Sequence, residues 1–133
     1  MERMRARVLD VGNCDPDHGR IRGMLEQHFD VEIHRVMFVD EAIEAMKRMR
    51  YELVLVNRLI FADSSPGIEL HRRAKSDGQL SDIAIMMISN YPEAHSESVA
   101  AGGVHGFGKA RVYHPETIER LSKHLPRRSS KSP

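Results

Sequence analysis

The sequence predicts an α/β domain in which helices cover both faces of a five-stranded parallel sheet. Short apolar runs alternate with amphipathic stretches, and this alternation repeats five times along the chain. Two of the runs, residues 53–56 and 83–88, are continuously apolar, which is typical of strands covered on both faces of a parallel sheet. The length of 133 residues fits one such domain.

The first third of the chain predicts two strands joined by a helix. Residues 5–11 form the first strand, after which the Asp15 carboxylate caps a helix over residues 16–29. Residues 31–36 alternate between apolar and polar, which favours a strand at the edge of the sheet. The apolar positions that share one face of the helix are Ile21, Met24 and Leu25.

The middle third predicts the second and third helices on either side of a central strand. Asp40 caps the second helix, and residues 53–56 give the third strand. Residues 68–75 form the third helix, which ends before the turn at residues 76–78. We expect the second helix to fill the core with the apolar residues at its three-residue steps, Ile43, Met46 and Met49.

The last third completes the sheet. After the fourth strand at residues 83–88, a short helix over residues 92–101 ends at Gly102-Gly103. A brief fifth strand spans residues 104–107, and the last helix begins at Pro115. The apolar face of that helix carries Ile118, Leu121 and Leu125.

Strict alternation of strands and helices with right-handed crossovers leaves few topologies. We expect a flavodoxin-like three-layer sandwich of five βα units with the strand order 2-1-3-4-5. The domain is expected to span residues 1–125. Residues 126–133 are rich in serine and basic residues, which predicts a disordered tail.

Composition narrows the classes of partner. Lys and Arg total 20 against 19 Asp and Glu, so no overall charge draws the chain to nucleic acid or to a membrane surface. The single cysteine, Cys14, excludes an internal disulfide, and no apolar stretch at the N-terminus is long enough for a signal peptide. These features predict a cytoplasmic protein.

Five polar or small positions fall at the carboxyl ends of the predicted strands. Gly12 and Asn13 follow the first strand, Asn57 the third and Ser89 the fourth, while Lys109 comes just after the fifth. Ligands and chemistry collect at this edge of an open α/β sheet. The layout resembles the receiver module of two-component response regulators over about residues 5–125, through the strings VLDVGNCDPDHGRIRGML, YELVLVNRLI, IAIMMISNYPEA and AAGGVHGFGKA.

The resemblance implies a degenerate phosphorylation site. In the receiver family an acidic pair after the first strand holds Mg²⁺ and an aspartate after the third accepts the phosphoryl group; here those places hold Gly12, Asn13 and Asn57. A hard cation prefers carboxylate oxygens, and a neutral amide is a poor nucleophile. We therefore expect weak or absent Mg²⁺ binding, no other cofactor and no acyl phosphate. Ser89 and Lys109 match the family's hydroxyl and lysine.

Further departures concern the switch region. Ala110 stands where the family has a proline, and the loop after Asn57 is about two residues longer than usual. Without gaps, Gly106 takes the place of the family's aromatic switch residue, whereas Phe107 takes it only with a shifted register. The sequence alone does not decide between these two alignments.

Other acids and the histidines offer alternative sites. Asp10 lies inside an apolar strand, where it is either a remnant of the acidic cluster, with Lys109 as a conceivable partner, or an aspartate that reaches solvent. Asp15 and Asp17 could donate carboxylates to a displaced metal site, but they are interpreted as acids of a helix start, and Asp63 is interpreted as an exposed loop acid. The eight histidines have no ligand spacing that predicts a metal site.

These observations favour a binding module of a signalling pathway over an enzyme. The resemblance implies docking to a protein partner, or formation of a homodimer, through the face of the fourth helix, fifth strand and fifth helix. One alternative is a flavodoxin-like domain that binds a small anionic ligand at the strand ends. Another is a receiver phosphorylated at a rearranged site on Asp10 or Asp63.

Overall fold

The computed structural model describes residues 5–128 and confirms the predicted architecture. Five parallel strands form one sheet in the order β2-β1-β3-β4-β5. The strands are β1 (Ala6–Val11), β2 (Val31–Val36), β3 (Leu53–Asn57), β4 (Ile85–Ile88) and β5 (Val104–Phe107). The helices are α1 (Asp15–His28), α2 (Val39–Arg48), α3 (Ile68–Lys75), α4 (Pro92–Ala100) and α5 (Pro115–Leu121), with a 3₁₀ turn at Lys109–Arg111.

The sheet separates two apolar cores because successive side chains of a strand point to opposite faces. Val8 packs on the side of α1 and α5, whereas its neighbour Leu9 packs on the side of α2 and α3. Each fully buried Leu, Ile or Val contributes about 1.5–3 kcal/mol relative to exposure. The first core includes Met24, Leu25, Leu55, Ile88, Phe107 and Leu121, and the second includes Ile43, Val54, Leu70 and Ile85.

Several predicted element boundaries are wrong by a residue or two. Helix α1 begins at Asp15 with Cys14 as its N-cap, so Asp15 does not cap the helix, and its carboxylate binds Arg35 instead. Likewise α2 begins at Val39, and the Asp40 carboxylate accepts from Arg73. In both cases a charge-assisted hydrogen bond to an arginine of another element takes the place of the predicted cap.

Two apolar predictions also need correction. Met49 lies beyond the end of α2 and is 37% exposed, so only Ile43 and Met46 of that set fill the core. Strand β4 begins at Ile85 rather than at residue 83. Ile83 is buried in the preceding turn, where its backbone N–H donates to the carbonyl of Leu80. Apolar character alone did not separate a buried turn from a strand.

The pairing of β5 with β4 contains a bulge. Met86 is paired with Val104 and Ile88 with Phe107, so a two-residue step on β4 faces a three-residue step on β5. One additional residue in β5 therefore changes which side chains reach the two faces of the sheet. Val104 and Phe107 share the face toward α1 and α5.

Residues 126–128 pack against the end of α1. The Asp30 N–H donates to the carbonyl of Pro126, and the Arg128 N–H donates to the carbonyl of His28. Phe29 and Arg127 form an antiparallel bridge. The remaining residues of the predicted tail, 129–133, lie outside the described part of the chain. Within residues 5–128, no helix has the length and apolar character needed to cross a bilayer.

Candidate functional site

Three of the five predicted positions line one cleft at the carboxyl edge of the sheet. Asn57 at the end of β3, Ser89 after β4 and Lys109 after β5 share a cavity of about 390 Å³ with Arg58 and Tyr91. The strand order brings these ends together because β3, β4 and β5 are neighbours. The structure therefore brings three of the five positions together in one cleft, while Gly12 and Asn13 lie outside its lining.

The polar side chains of this cleft are bound within the chain. The Asn57 amide Nδ2 donates to the carbonyl of Leu59 over 2.7 Å. The Ser89 hydroxyl accepts from the backbone N–H of Tyr91 over 3.0 Å. The Arg58 guanidinium lies 4.8 Å from the centre of the Tyr91 ring, within the range of a cation–π contact. These contacts hold Asn57 and Ser89 in fixed orientations.

Lys109 is paired with an acid that sequence reasoning assigned to the helix start. Its Nζ lies 2.7 Å from Oδ2 of Asp17 in the first turn of α1. Burial acts to raise the pKa of Asp17, but hydrogen bonds from Lys109 and Cys14 and the charge of Lys109 hold it below its usual value. The lysine charge is thus neutralised by this chain's own carboxylate.

Gly12 is covered by a residue of the loop between β3 and α3. Its φ of +76° is a conformation that favours glycine, and a Cβ at this position would lie 2.5 Å from Cδ1 of Ile60. Ile60 itself is fully buried. Its backbone N–H donates to the carbonyl of Ser65, and Leu59 is bridged to Pro66. The longer loop folds back on itself and inserts Ile60 where a residue-12 side chain would extend.

Asn13 is turned away from the cleft toward Asp10. Asp10 is completely buried; one of its carboxylate oxygens accepts from Asn13 Nδ2 and the other from His18 Nδ1, both over 2.5 Å. These two bonds compensate for the desolvation of the acid. The partners of Asp10 are therefore Asn13 and His18 and not Lys109, and the alternative that Asp10 reaches solvent is wrong as well.

The residues present do not fit the Mg²⁺ of the receiver family. The direction of a side chain at Gly12 is filled by Ile60, the Asn13 amide faces Asp10, and the third position is the neutral amide of Asn57. Hard cations require several oxygen ligands, preferably anionic. Across residues 5–128 no group of three or more His, Cys, Asp or Glu side chains is placed to hold a metal.

The other candidate acid lies outside the cleft. Asp63 is exposed in the loop before α3, and its carboxylate accepts from the backbone N–H and the hydroxyl of Ser65. The hydroxyl bond first, and then the backbone bond, lower the pKa of Asp63. These bonds form a local turn, and they give the carboxylate no contact with Asn57, Ser89 or Lys109.

A second, larger cavity lies on the face formed by α4, β5 and α5. Its volume is about 970 Å³, which falls in the range of ligand and peptide sites. Ser89 and Asn90 extend to this groove as well, so it adjoins the strand-end cleft. The Asn90 side chain accepts from the N–H of Ala110, a bond that the family's proline at this place could not make.

Two stacked imidazoles line the groove. The rings of His95 on α4 and His105 on β5 are 5.0 Å apart and inclined by only 14°. His95 Nε2 donates to the carbonyl of Ser89 over 2.7 Å. Phe107 is buried in the core beside α5 and is 3% exposed, whereas Gly106 accepts a hydrogen bond from Arg120. The β5 bulge therefore presents His105, rather than Phe107, to α4.

Solved structures share this architecture at low sequence identity. The chemotaxis protein CheY4 of Vibrio cholerae has a TM-score of 0.75 at 20% identity, covering 92% of this chain and 100% of that one. The signal receiver domain of a signal transduction histidine kinase from Syntrophus aciditrophicus has a TM-score of 0.70 at 20% identity, covering 96% and 98%. The Mn²⁺-bound form of response regulator Rcp1 has a TM-score of 0.69 at 15% identity, covering 89% and 90%.

The chain has the fold of a receiver domain. No protein-family model and no curated protein matches the sequence, so the likeness is one of structure. The sequence did not indicate His18 or Ile60 as parts of the site, and it favoured a structural role at the helix start for Asp17. The available signal was the apolar run Leu59-Ile60-Phe61 in a loop rich in turn residues, since such a run needs a burial site for at least one of its members, and Ile60 is the one that is buried.

Proposed function

We propose that the chain is an atypical receiver domain that acts as a protein-binding module in signal transduction, without aspartyl phosphorylation and without catalysis of its own. The receiver fold and the placement of Asn57, Ser89 and Lys109 in one cleft support the receiver assignment. The acidic residues that phosphoryl transfer needs are missing from the matching positions Gly12, Asn13 and Asn57.

The observation that carries this proposal is the internal occupation of the site. Ile60 fills the space beside Gly12, and Asp17 neutralises Lys109. In a phosphorylated receiver the lysine would meet the phosphoryl oxygens. Here the lysine already has a carboxylate partner at 2.7 Å, so the chain holds its own substitute for that negative charge.

The same contacts argue against a small anionic ligand at the strand ends. Such a ligand would need the Lys109 cation, and binding would have to displace Asp17 from it. Neither acid of the rearranged-site alternative is poised for attack on a phosphoryl donor. Asp10 is buried with both oxygens engaged, and Asp63 lies in its own turn with no cation beside it among the described contacts.

The docking surface that we propose is the face of α4, β5 and α5. It contains the larger cavity and several exposed side chains, among them Val99 at 49%. It also adjoins the Ser89 loop through His95. A homodimer through this face would use the same groove and would compete with another partner.

A direct test uses NMR spectra of the whole chain with Mg²⁺ and beryllofluoride, which mimics a bound phosphoryl group. We expect no saturable shifts of the amide signals of Asn57, Ser89 and Lys109, because the site lacks the anionic ligands for the cation. Saturable shifts confined to these residues would overturn the proposal.

The matched control restores the site. The substitutions Gly12→Asp, Asn13→Asp and Asn57→Asp return the acids, and Ile60→Ala opens the space beside residue 12. With all four changes, saturable Mg²⁺ shifts should appear. The triple variant that keeps Ile60 should bind more weakly, since the isoleucine still fills that space. Equal Mg²⁺ affinities of the two variants would show that Ile60 does not hinder binding of the cation.

A further inference from the structure

The edge strand β2 carries a histidine and a glutamate whose side chains meet on one face of the sheet. Glu32 and His34 are two residues apart in the strand, so both side chains point to the same face. His34 Nε2 lies 2.6 Å from Oε2 of Glu32, and the two side chains are 29% and 44% exposed. Among the described residues β2 pairs with one strand only, β1. An imidazole nitrogen and a carboxylate oxygen, which are both zinc ligands, therefore lie together within reach of solvent.

The hydroxyl of the buried Tyr51 fixes the orientation of the His34 ring. Its oxygen lies 2.7 Å from Nδ1 of His34, and the two rings meet edge to face with their centroids 5.4 Å apart. Tyr51 is 3% exposed, so packing in the core sets its position. A histidine that binds a metal usually has such a hydrogen-bond partner on its other nitrogen, which fixes the ring and the tautomer. His34 therefore has the outer contact of a metal ligand, while its Nε2 faces Glu32.

A metal ion at this pair would take the place of the proton between Nε2 and Oε2. The contacts fit a neutral ring in which Nε2–H donates to Glu32 and Nδ1 accepts from the Tyr51 hydroxyl. With a cation on Nε2, the ring proton moves to Nδ1 and donates to the Tyr51 oxygen, since a phenol hydroxyl serves as donor or acceptor. The imidazole stays neutral, and Tyr51 keeps its contact in both states.

The spacing of the two ligand atoms is close to what a tetrahedral ion requires. Two atoms about 2.0–2.1 Å from Zn²⁺ lie about 3.3 Å apart in a tetrahedral site. From the observed 2.6 Å the atoms have to separate by about 0.7 Å. Both side chains are partly exposed, so a small rotation of the Glu32 carboxylate is sufficient. Water fills the two remaining positions of the ion.

One nearby cation opposes the binding of a metal. Arg7 Nε lies 3.9 Å from the same oxygen of Glu32, and its charge offsets part of the negative charge of the carboxylate. With two protein ligands and this arginine, we expect a weaker site than a structural zinc site with four protein ligands. Removal of the arginine should therefore strengthen the binding.

We propose that Glu32 and His34 bind a divalent transition-metal ion of the zinc and copper class through Oε2 and Nε2, with Tyr51 as the positioning residue for the imidazole. An ion of this class accepts imidazole nitrogen, whereas Mg²⁺ prefers oxygen ligands, so the site is distinct in chemistry from the strand-end cleft. It has two protein ligands, in agreement with the lack of any group of three among residues 5–128. The docking role proposed above does not depend on it.

The test is an NMR titration of the whole chain with Zn²⁺, in which the amide signals and the imidazole nitrogens are observed. We expect saturable shifts of the Glu32 and His34 amides and a metal bond at Nε2 of His34. The absence of saturable shifts at these residues up to about 1 mM Zn²⁺ would overturn the proposal. A metal bond at Nδ1 would overturn it as well, because that nitrogen faces Tyr51.

Variants separate this site from general attraction of metal to histidines. His34→Gln should abolish the saturable shifts, and Tyr51→Phe, which keeps the ring but removes the hydroxyl, should weaken binding about tenfold. Arg7→Gln should strengthen it about two- to fivefold. The matched control is His124→Gln, since His124 is also partly buried but has no carboxylate partner among the described contacts. The control should keep the affinity within about twofold of the unchanged chain.

Each contrary result has a definite meaning. Equal losses in His34→Gln and His124→Gln would show non-specific binding and would refute the site. Unchanged affinity in Tyr51→Phe would refute the positioning role, and if that variant unfolds, Glu32→Gln at the exposed ligand replaces it, with an expected loss of about tenfold. A dimer in sedimentation that forms only with Zn²⁺ and is lost in His34→Gln would assign the ion to an interface between two copies and would overturn a site within one chain. None of these results bears on the proposed function, which only Mg²⁺ or phosphoryl uptake at the strand ends would overturn.

Discussion

The buried histidine between α3 and α4 makes the stability of the domain sensitive to mild acid. His71 is completely buried, and its Nε2 lies 2.7 Å from the Ser98 hydroxyl. Burial lowers the pKa of His71 from 6.5 to about 4. In the unfolded chain the imidazole titrates near its ordinary value, so between these two values the unfolded state binds more protons than the folded state.

The sign and size of the effect follow from this difference. The contribution of the neutral His71 to the free energy of unfolding is fully present above about pH 6.5. It declines as the pH falls, and the decline ends below about pH 4. Because each pKa unit corresponds to about 1.4 kcal/mol, the full loss is about 3 kcal/mol, of which about 2 kcal/mol is lost by pH 5. Domains of this size are stable by about 5–15 kcal/mol, so the loss is measurable.

Urea unfolding at pH 7 and at about pH 5 measures the effect, with His71→Gln as the variant that cannot titrate. The difference in unfolding free energy between the unchanged chain and this variant should fall by about 2 kcal/mol over that range. Ser98→Ala is the control, because it removes the hydrogen bond but keeps the buried imidazole and hence the pH dependence. Parallel pH dependence of His71→Gln and the unchanged chain would refute the reasoning.

Three further predictions concern the site. Gly12→Asp should lower the free energy of unfolding by about 1–3 kcal/mol in urea titrations, because φ is positive and Ile60 fills the space. The same substitution should cost less in an Ile60→Ala background, and an equal cost in both backgrounds would contradict the packing argument. Asp17→Asn should increase acylation of Lys109 severalfold by an amine-reactive reagent, read by peptide mass spectrometry, and unchanged labelling would argue against the ion pair. Burial lowers the pKa of His105, so its imidazole signals should titrate with a midpoint below about 6.5, and a higher midpoint would contradict the partial burial of the ring.

The architecture could be predicted from the sequence because it depends on local patterns of apolar and polar residues. The continuous apolar runs at β3 and β4 favour strands buried on both faces, and strict alternation with right-handed crossovers then restricts the strand order. Helix starts were less predictable. Asp15 and Asp40 have the residue type of a cap, but each found an arginine on another element.

Only some of the site's contacts could be predicted from the sequence, because several of them join residues that are far apart in the chain. The positions of Asn57, Ser89 and Lys109 follow from the strand ends, so their meeting in one cleft was predictable. The pairing of Lys109 with Asp17 joins residues far apart in the chain, and no local pattern encodes it. The β5 bulge likewise depends on pairing with β4, and for that reason the sequence left Gly106 and Phe107 open and did not predict that His105 stacks on His95.

The most direct test of a silent phosphorylation site is intact-mass measurement of the whole chain after incubation with acetyl phosphate and Mg²⁺. We expect the mass to stay unchanged, because Asn57 offers no carboxylate and neither Gly12 nor Asn13 contributes an anionic ligand for the cation. A gain of one phosphoryl group that disappears when a single aspartate, Asp10 or Asp63, is replaced by alanine would contradict the account.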